Sequence, residues 1–120
     1  MAGKFCVSIT HAKNDADKAT VGFVVANASV ASAQETLVFL STEAVRLAVK
    51  GYAEEIHEPG FAPLKELVTN FVTAGGKIYV CSPCFKKRAL DDTALIEGAT
   101  VVGGAKLAEF MASGSPCISY

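Results

Sequence analysis

Hydrophobic and polar positions change period repeatedly along this chain, and the changes predict strands alternating with helices. Over residues 4–10, Phe5, Val7 and Ile9 alternate with Cys6, Ser8 and Thr10, the two-residue period of a strand with one bulky face and one small face. Asn14, Asp15 and Asp17 then offer a cap and acidic first-turn residues for a helix running to about Ala33. From Val21 to Ala31 that helix is apolar almost all round, which predicts cover on more than one side and, in so small a domain, contact with another subunit. Residues 35–40 (ETLVFL) read as a second strand. Ser41, Thr42 and Glu43 cap a helix through Ala44, Val45, Leu47, Ala48 and Val49 that stops at Gly51.

Residues 52–63 lack a clear period and carry Glu54, Glu55, His57 and Glu58 ahead of Pro59-Gly60, the pattern of a surface loop over the top of the sheet. Pro63 opens a helix in which Leu64, Leu67, Val68, Phe71 and Val72 keep helical spacing until Gly75-Gly76 ends it. The third strand, through Ile78, Tyr79 and Val80, runs straight into Cys81-Ser82-Pro83-Cys84, where Ser82 reads as a helix cap and Pro83 as the first helical residue. A short helix follows over residues 84–90. Thr100-Val101-Val102 is a brief fourth strand, Gly103-Gly104 leads to a last helix with Leu107, Phe110 and Met111, and residues 117–119 form a final strand. Five strands alternating with helices predict a single α/β domain over residues 1–120, a mainly parallel sheet with helices on both faces.

Composition narrows the function. At 120 residues and 51% hydrophobic the chain can bury one real core and is too short for two domains to be expected. A net charge of −1 offers no general attraction to nucleic acid or an anionic membrane. The longest uncharged run, between Lys18 and Glu35, carries too many polar residues for a membrane span, and no secretory signal pattern opens the chain, so a cytoplasmic protein is expected. Four cysteines are too few for a disulfide scaffold. In a reducing compartment a Cys-x-x-Cys points to redox, sulfur or metal chemistry. Zinc would need two further ligands, and no second Cys-x-x-Cys or histidine pair supplies them, so no metal is expected. Neither a G-x-G-x-x-G nor a Walker pattern is present, so no cofactor is expected either. Cys6 and Cys117 lie in apolar surroundings and are assigned to the core.

The residues also resemble the DsrE/DsrF-like family, which includes the sulfur-relay subunits of the TusD type. The carrying features are the first strand ending in Thr10-His11, Pro63-Leu64-Lys65-Glu66-Leu67, the approach Gly75-Gly76-Lys77-Ile78-Tyr79-Val80-Cys81, and Gly98-Ala99, with Val80-Cys81 followed by basic Lys87-Arg88 the most specific. The resemblance runs nearly end to end. It implies a flavodoxin-like three-layer fold with strand order 2-1-3-4-5, assembly as trimers or hexamers, and a cysteine that carries sulfur as a persulfide between donor and acceptor proteins. The chain differs from the sulfur-relay branch at Ala89, where glycine is usual after the basic pair, and in the extra thiol of Cys84.

Strand order 2-1-3-4-5 would open a crevice between strands one and three, bringing His11 beside Cys81, with Ser41 and Thr42 on the same rim. His11 is then either a base for the thiol or merely a cap. Two lines of reasoning diverge on the nucleophile: the resemblance implies Cys81, whereas position in the first turn of a helix favours Cys84. In the combined scheme Cys81 takes up the sulfur and Cys84 attacks it. Ser82, Lys86, Lys87 and Arg88 complete an electropositive rim for an anionic donor, or else a solvated helix face. The competing function class is a non-catalytic oligomeric protein that binds a small ligand, with incidental thiols.

Overall fold

The computed structural model describes residues 3–120. Five strands, β1 (Lys4–Ile9), β2 (Glu35–Leu40), β3 (Lys77–Cys81), β4 (Ala99–Val102) and β5 (Cys117–Ser119), form one sheet in which every neighbouring pair is parallel. Four α-helices connect them: α1 (Ala16–Ala31), α2 (Leu64–Thr73), α3 (Ser82–Lys87) and α4 (Gly104–Ala112). Between β2 and α2 the chain makes a seven-residue 3-10 helix, Thr42–Ala48, and a short one at Ala53–Glu55, so the loop expected over residues 52–63 is partly ordered, with Ala53 and Ile56 buried.

Strand order is β4-β3-β2-β1-β5, which corrects the order 2-1-3-4-5. The three-layer α/β architecture with helices on both faces stands. The physical reason for the difference lies in the crossovers. Each of the first three connections places the next strand beside the last, stepping one way across the sheet, and only the connection after β4 returns to the far side of β1. Right-handed crossovers that step one way leave their helices on one face, and a reversed step puts its helix on the other. Accordingly α1 and α2 pack together over Val7, Ile9, Val38, Leu40, Ile78 and Val80, while the opposite face carries a smaller cluster of Cys6, Leu37, Phe39 and Phe110 of α4. Alternation along a strand shows which side chains share a face, but it does not say which strand is the neighbour.

Local chemistry sets the element ends much as the hydrophobic pattern predicts. Asp15 caps α1, its carboxylate accepting from the Lys18 N–H at 3.1 Å. Asn27 donates through Nδ2 to Leu67 O at 3.0 Å, tying α1 to α2, and Phe23 meets Phe71 edge-on with ring centroids 6.0 Å apart. Position 76 must be glycine for reasons of space: a Cβ there would lie 2.2 Å from the Phe71 ring, which is fully buried. No helix among the described residues is long and apolar enough to cross a membrane.

Gly76→Ala is therefore expected to force the Phe71 ring out of its packed position and to lower unfolding stability by about 1–3 kcal/mol, the usual cost of overpacking a core. Urea titration of both proteins measures it. An unchanged midpoint would mean that the Phe71 pocket yields freely.

Candidate functional site

The Cys-x-x-Cys sits where a strand becomes a helix. Cys81 is the last residue of β3 and the N-cap of α3, with extended backbone and no side-chain capping bond; Ser82 is the first helical residue, so the helix begins one position earlier than the sequence pattern implies. Cys84 follows on the first turn of α3. Residues three apart on a helical turn lie on one side of it, which sets the two thiols near each other. Both are free and partly exposed.

The rest of the site comes from the end of β2, because β2 lies directly beside β3 with Leu40 opposite Val80. Thr42 leaves that strand with φ of 51°, a left-handed conformation that a β-branched residue adopts at a cost of order 1–3 kcal/mol. Its hydroxyl donates to Thr10 O at 2.6 Å, which holds the turn, and its backbone N–H favours the thiolate of Cys84. Glu43 then receives two guanidinium groups, Arg46 Nε at 2.5 Å and Arg88 Nε at 3.0 Å. Arg88 also donates from Nη1 to the Cys84 carbonyl at 3.2 Å, so its cationic head is held against the turn that carries the thiol. Lys86 and Lys87 are exposed on the same short helix.

These contacts push the two thiols in opposite directions. Burial raises Cys81, and a hydrogen bond with Cys84 raises it further. Burial also works against ionisation of Cys84, but the hydrogen bond from Cys81, the Thr42 N–H and the charges of Arg88 and Lys87 together outweigh it, so that its pKa falls below the ordinary thiol value. Of the two thiols Cys84 is therefore the more readily ionised, and Cys81 the one that keeps its proton to higher pH. Glu43 is itself held below the usual carboxylate range by its hydrogen bonds with Arg88 and Arg46.

His11 lies elsewhere. With β2 between β1 and β3, the residues that end β1 are two strands from those that end β3, roughly 10 Å at the usual strand spacing. The adjacency of His11 and Cys81 expected from order 2-1-3-4-5 is thus corrected: His11 Nδ1 is 3.0 Å from the hydroxyl of its neighbour Thr10. Ser41 stays on the rim, its N–H donating to Ile9 O at 3.1 Å. Glu43 and Arg46 are site residues that sequence reasoning missed, since Glu43 looks like an ordinary helix-capping acid. The strained backbone of Thr42 left no sequence signal at all. His57, Glu54 and Glu55 have ordinary surface partners in Phe61 O, Lys65 and Lys13.

Ala89 closes α3 with φ of 52°. Its N–H donates to Lys86 O at 3.0 Å and the Leu90 N–H to Phe85 O at 3.4 Å, the Schellman pattern of helix ends, in which a left-handed residue is usually glycine. Alanine closes the same turn here.

The DsrE/DsrF-like family model matches residues 3–120. The chain belongs to the DsrE/DsrF-like family. The uncharacterized protein MJ0760 of Methanocaldococcus jannaschii is 30% identical over 99 residues, which is 82% of this chain but 36% of that protein, so the chain spans about a third of its relative's length. Among solved structures, the YchN protein from E. coli superposes with a TM-score of 0.81 at 17% identity, covering 98% of this chain and 99% of that one. Protein MTH1491 of Methanobacterium thermoautotrophicum, of unknown function, superposes with a TM-score of 0.71 at 16% identity, covering 98% and 99%. These likenesses establish the DsrE-type α/β fold of the chain.

If Arg88 helps keep Cys84 ionised, Arg88→Gln will move the midpoint of Cys84 alkylation by iodoacetamide to higher pH. At a pH below the free-thiol value of about 8.5 the variant will then react more slowly than the parent protein. The reaction is followed by mass spectrometry on the Cys81→Ser background, where one site thiol remains. An unshifted midpoint would assign the acidity of Cys84 to Thr42 and Lys87 alone.

Proposed function

We propose that this DsrE/DsrF-like protein is a sulfur carrier or sulfur-linked thiol redox protein whose working group is the Cys81–Cys84 pair. What supports it most is the placement of two free, partly exposed thiols one helical turn apart at the strand-to-helix turn, where their surroundings shift them in opposite directions and make Cys84 the more readily ionised. Cys84 is accordingly the attacking group in this reading, and Cys81 the resolving one, the reverse of the roles that the family resemblance alone implies.

In the first step the Cys84 thiolate attacks the terminal sulfur of a donor persulfide, R–S–SH. A Cys84–S–SH bond forms, the donor S–S bond breaks, and the donor leaves as a thiolate. From there the terminal sulfur passes to an acceptor thiolate by the same exchange. Alternatively Cys81 attacks the inner sulfur of Cys84: an intramolecular disulfide forms, hydrogen sulfide leaves with the Cys81 proton, and two electrons pass from the thiols to the departing sulfur. Lys86, Lys87 and Arg88 favour an anionic donor at the mouth of the site, with Ser82 and Ser41 on its rim. Donor and acceptor proteins are the implied partners. Homo-oligomeric assembly as a trimer or hexamer is supported by the partly exposed apolar side of α1, where Val24 is 36% exposed. A reducing compartment such as the cytoplasm suits two free thiols.

One observation favours the non-catalytic reading. A cavity of about 680 Å³ lies between α2 and the segment after the longer 3-10 helix, lined by Leu47, Val49, Val68, Val72 and Ile96 with Lys50 and Lys65, and no cysteine lines it. Such a cavity is of the size that holds a small ligand.

Intact-mass analysis after incubation of the reduced protein with a persulfide donor separates these readings. With Cys117→Ser present throughout to remove the other exposed thiol, Cys81→Ser is expected to gain one reductant-sensitive sulfur and keep it, Cys84→Ser to gain none, and the chain with both site thiols to proceed to a disulfide lighter by two hydrogens. A sulfur held by Cys84→Ser but absent from Cys81→Ser would return the carrier role to Cys81. No gain in any of the three, with both thiols slow to alkylate, would leave the ligand-binding reading.

A further inference from the structure

The sheet carries a second pair of cysteines. Cys6 of β1 and Cys117 of β5 are direct partners in the parallel register, with Val7 opposite Ile118 and Ser8 opposite Ser119 beyond them. Register puts both side chains on the α4 face of the sheet, where Cys6 is buried beside Leu37, Phe39 and Phe110. Cys6 is buried in the lesser core as expected, but Cys117 is exposed, which corrects its assignment to the core: β5 is an edge strand of three residues, all of them exposed. The pair is remote from the other thiols. Cys6 is level with Leu37 and so with Lys77, four residues before Cys81, which places it roughly 13 Å lower along the strands and two strands across.

We propose that Cys6 and Cys117 are a second dithiol, independent of Cys81–Cys84, which closes to an intrachain disulfide by exchange with a low-molecular-weight disulfide and clamps the last strand to the first. In-register partners on neighbouring parallel strands stand about 4.8 Å apart, inside the Cα separation of 4.4–6.8 Å that a disulfide spans, with both Cβ atoms on one face. Exposure sets the order of events. The Cys117 thiolate attacks R–S–S–R, forming Cys117–S–S–R and releasing one thiolate; Cys6, its proton given up to water, then attacks the Cys117 sulfur and expels the second. The dithiol loses two electrons and two protons, and the small disulfide gains both electrons to become two thiols.

Burial holds the Cys6 thiol up at about 12, with the charge and hydrogen bond of Cys117 adding to it. The last two effects vanish once Cys117 is capped, so the first step itself prepares Cys6 for the second. Reach is also local. β5 pairs with β1 over only three residues, flanked by the bonds Cys6 N to Pro116 O at 3.0 Å, Tyr120 N to Ser8 O at 2.8 Å and Thr10 N to Tyr120 O at 2.8 Å, so this short edge strand can open enough to admit the reagent.

The test uses the full chain carrying Cys81→Ser and Cys84→Ser, incubated with oxidised glutathione. The expected product is lighter by two hydrogens, yields a Cys6–Cys117 cross-linked peptide on digestion, returns to the starting mass with dithiothreitol, and melts at least about 5 °C higher than the reduced form, as closing so long a loop requires. Adding Cys6→Ala should arrest the reaction at a single glutathione adduct on Cys117, and adding Cys117→Ser should abolish reaction altogether. Two unreacted thiols after prolonged incubation, or a lasting glutathione adduct while Cys6 is present, would overturn the proposal. Because the variants lack the Cys81–Cys84 pair, the result stands apart from the sulfur-carrier reading.

Discussion

The position of β2 between β1 and β3 is the constraint on which the rest of the structure depends. Residues 36–40 of this strand are all buried, with Val38 and Leu40 against α1 and α2 and Leu37 and Phe39 toward α4. A strand covered on both faces cannot slip, because a shift of one residue would exchange its two side-chain sets between cores of different depth. Its end point is thereby set as well, and the end is what matters for chemistry: Thr42 and Glu43 emerge beside the turn that carries Cys81 and Cys84.

From that placement the electrostatics of the thiol pair follow. A six-residue helix offers little dipole, and two exposed lysines are screened by solvent. What distinguishes Cys84 is a set of oriented groups: a backbone N–H delivered by a strained threonine, a neighbouring thiol that donates, and an arginine held in place from two sides. Glu43 belongs to this set although it repels a thiolate. It fixes the guanidinium of Arg88, and a fixed cation close to a sulfur acts more strongly than a mobile one in water. The cost is carried in the backbone at Thr42 and Ala89, both with positive φ, flanking the thiol turn on either side.

The two faces of the sheet differ in kind. Under α1 and α2 lies a deep aliphatic and aromatic core with Phe23 and Phe71 at its centre; under α4 lies a thin one, closed by four buried residues and rimmed by Tyr79, Leu107 and Met111. The two cysteine pairs divide between them: Cys6 lies within the thin cluster, Cys84 packs against the deep one, and Cys81 touches both.

Much of this molecule could be read without coordinates. Hydrophobic period, capping residues and glycine breaks set the strands and helices, since these depend on contacts within a few residues of chain. The parallel sheet, the helices on both faces, the Cys-x-x-Cys at a strand-to-helix turn and the family itself were legible for the same reason: each is a local pattern. What needed the tertiary structure was everything that depends on who stands beside whom. The order of strands separated His11 from Cys81 and brought Thr42 and Glu43 in; the edge position of β5 exposed Cys117. A thiol's acidity comes from oriented groups a few ångströms away, and the groups that act on Cys84 come from Thr42, Cys81, Lys87 and Arg88, of which Thr42 is far off in sequence. Local pattern cannot carry such information, because neighbours in space are chosen by crossover direction and by which faces bury, and both are properties of the whole chain.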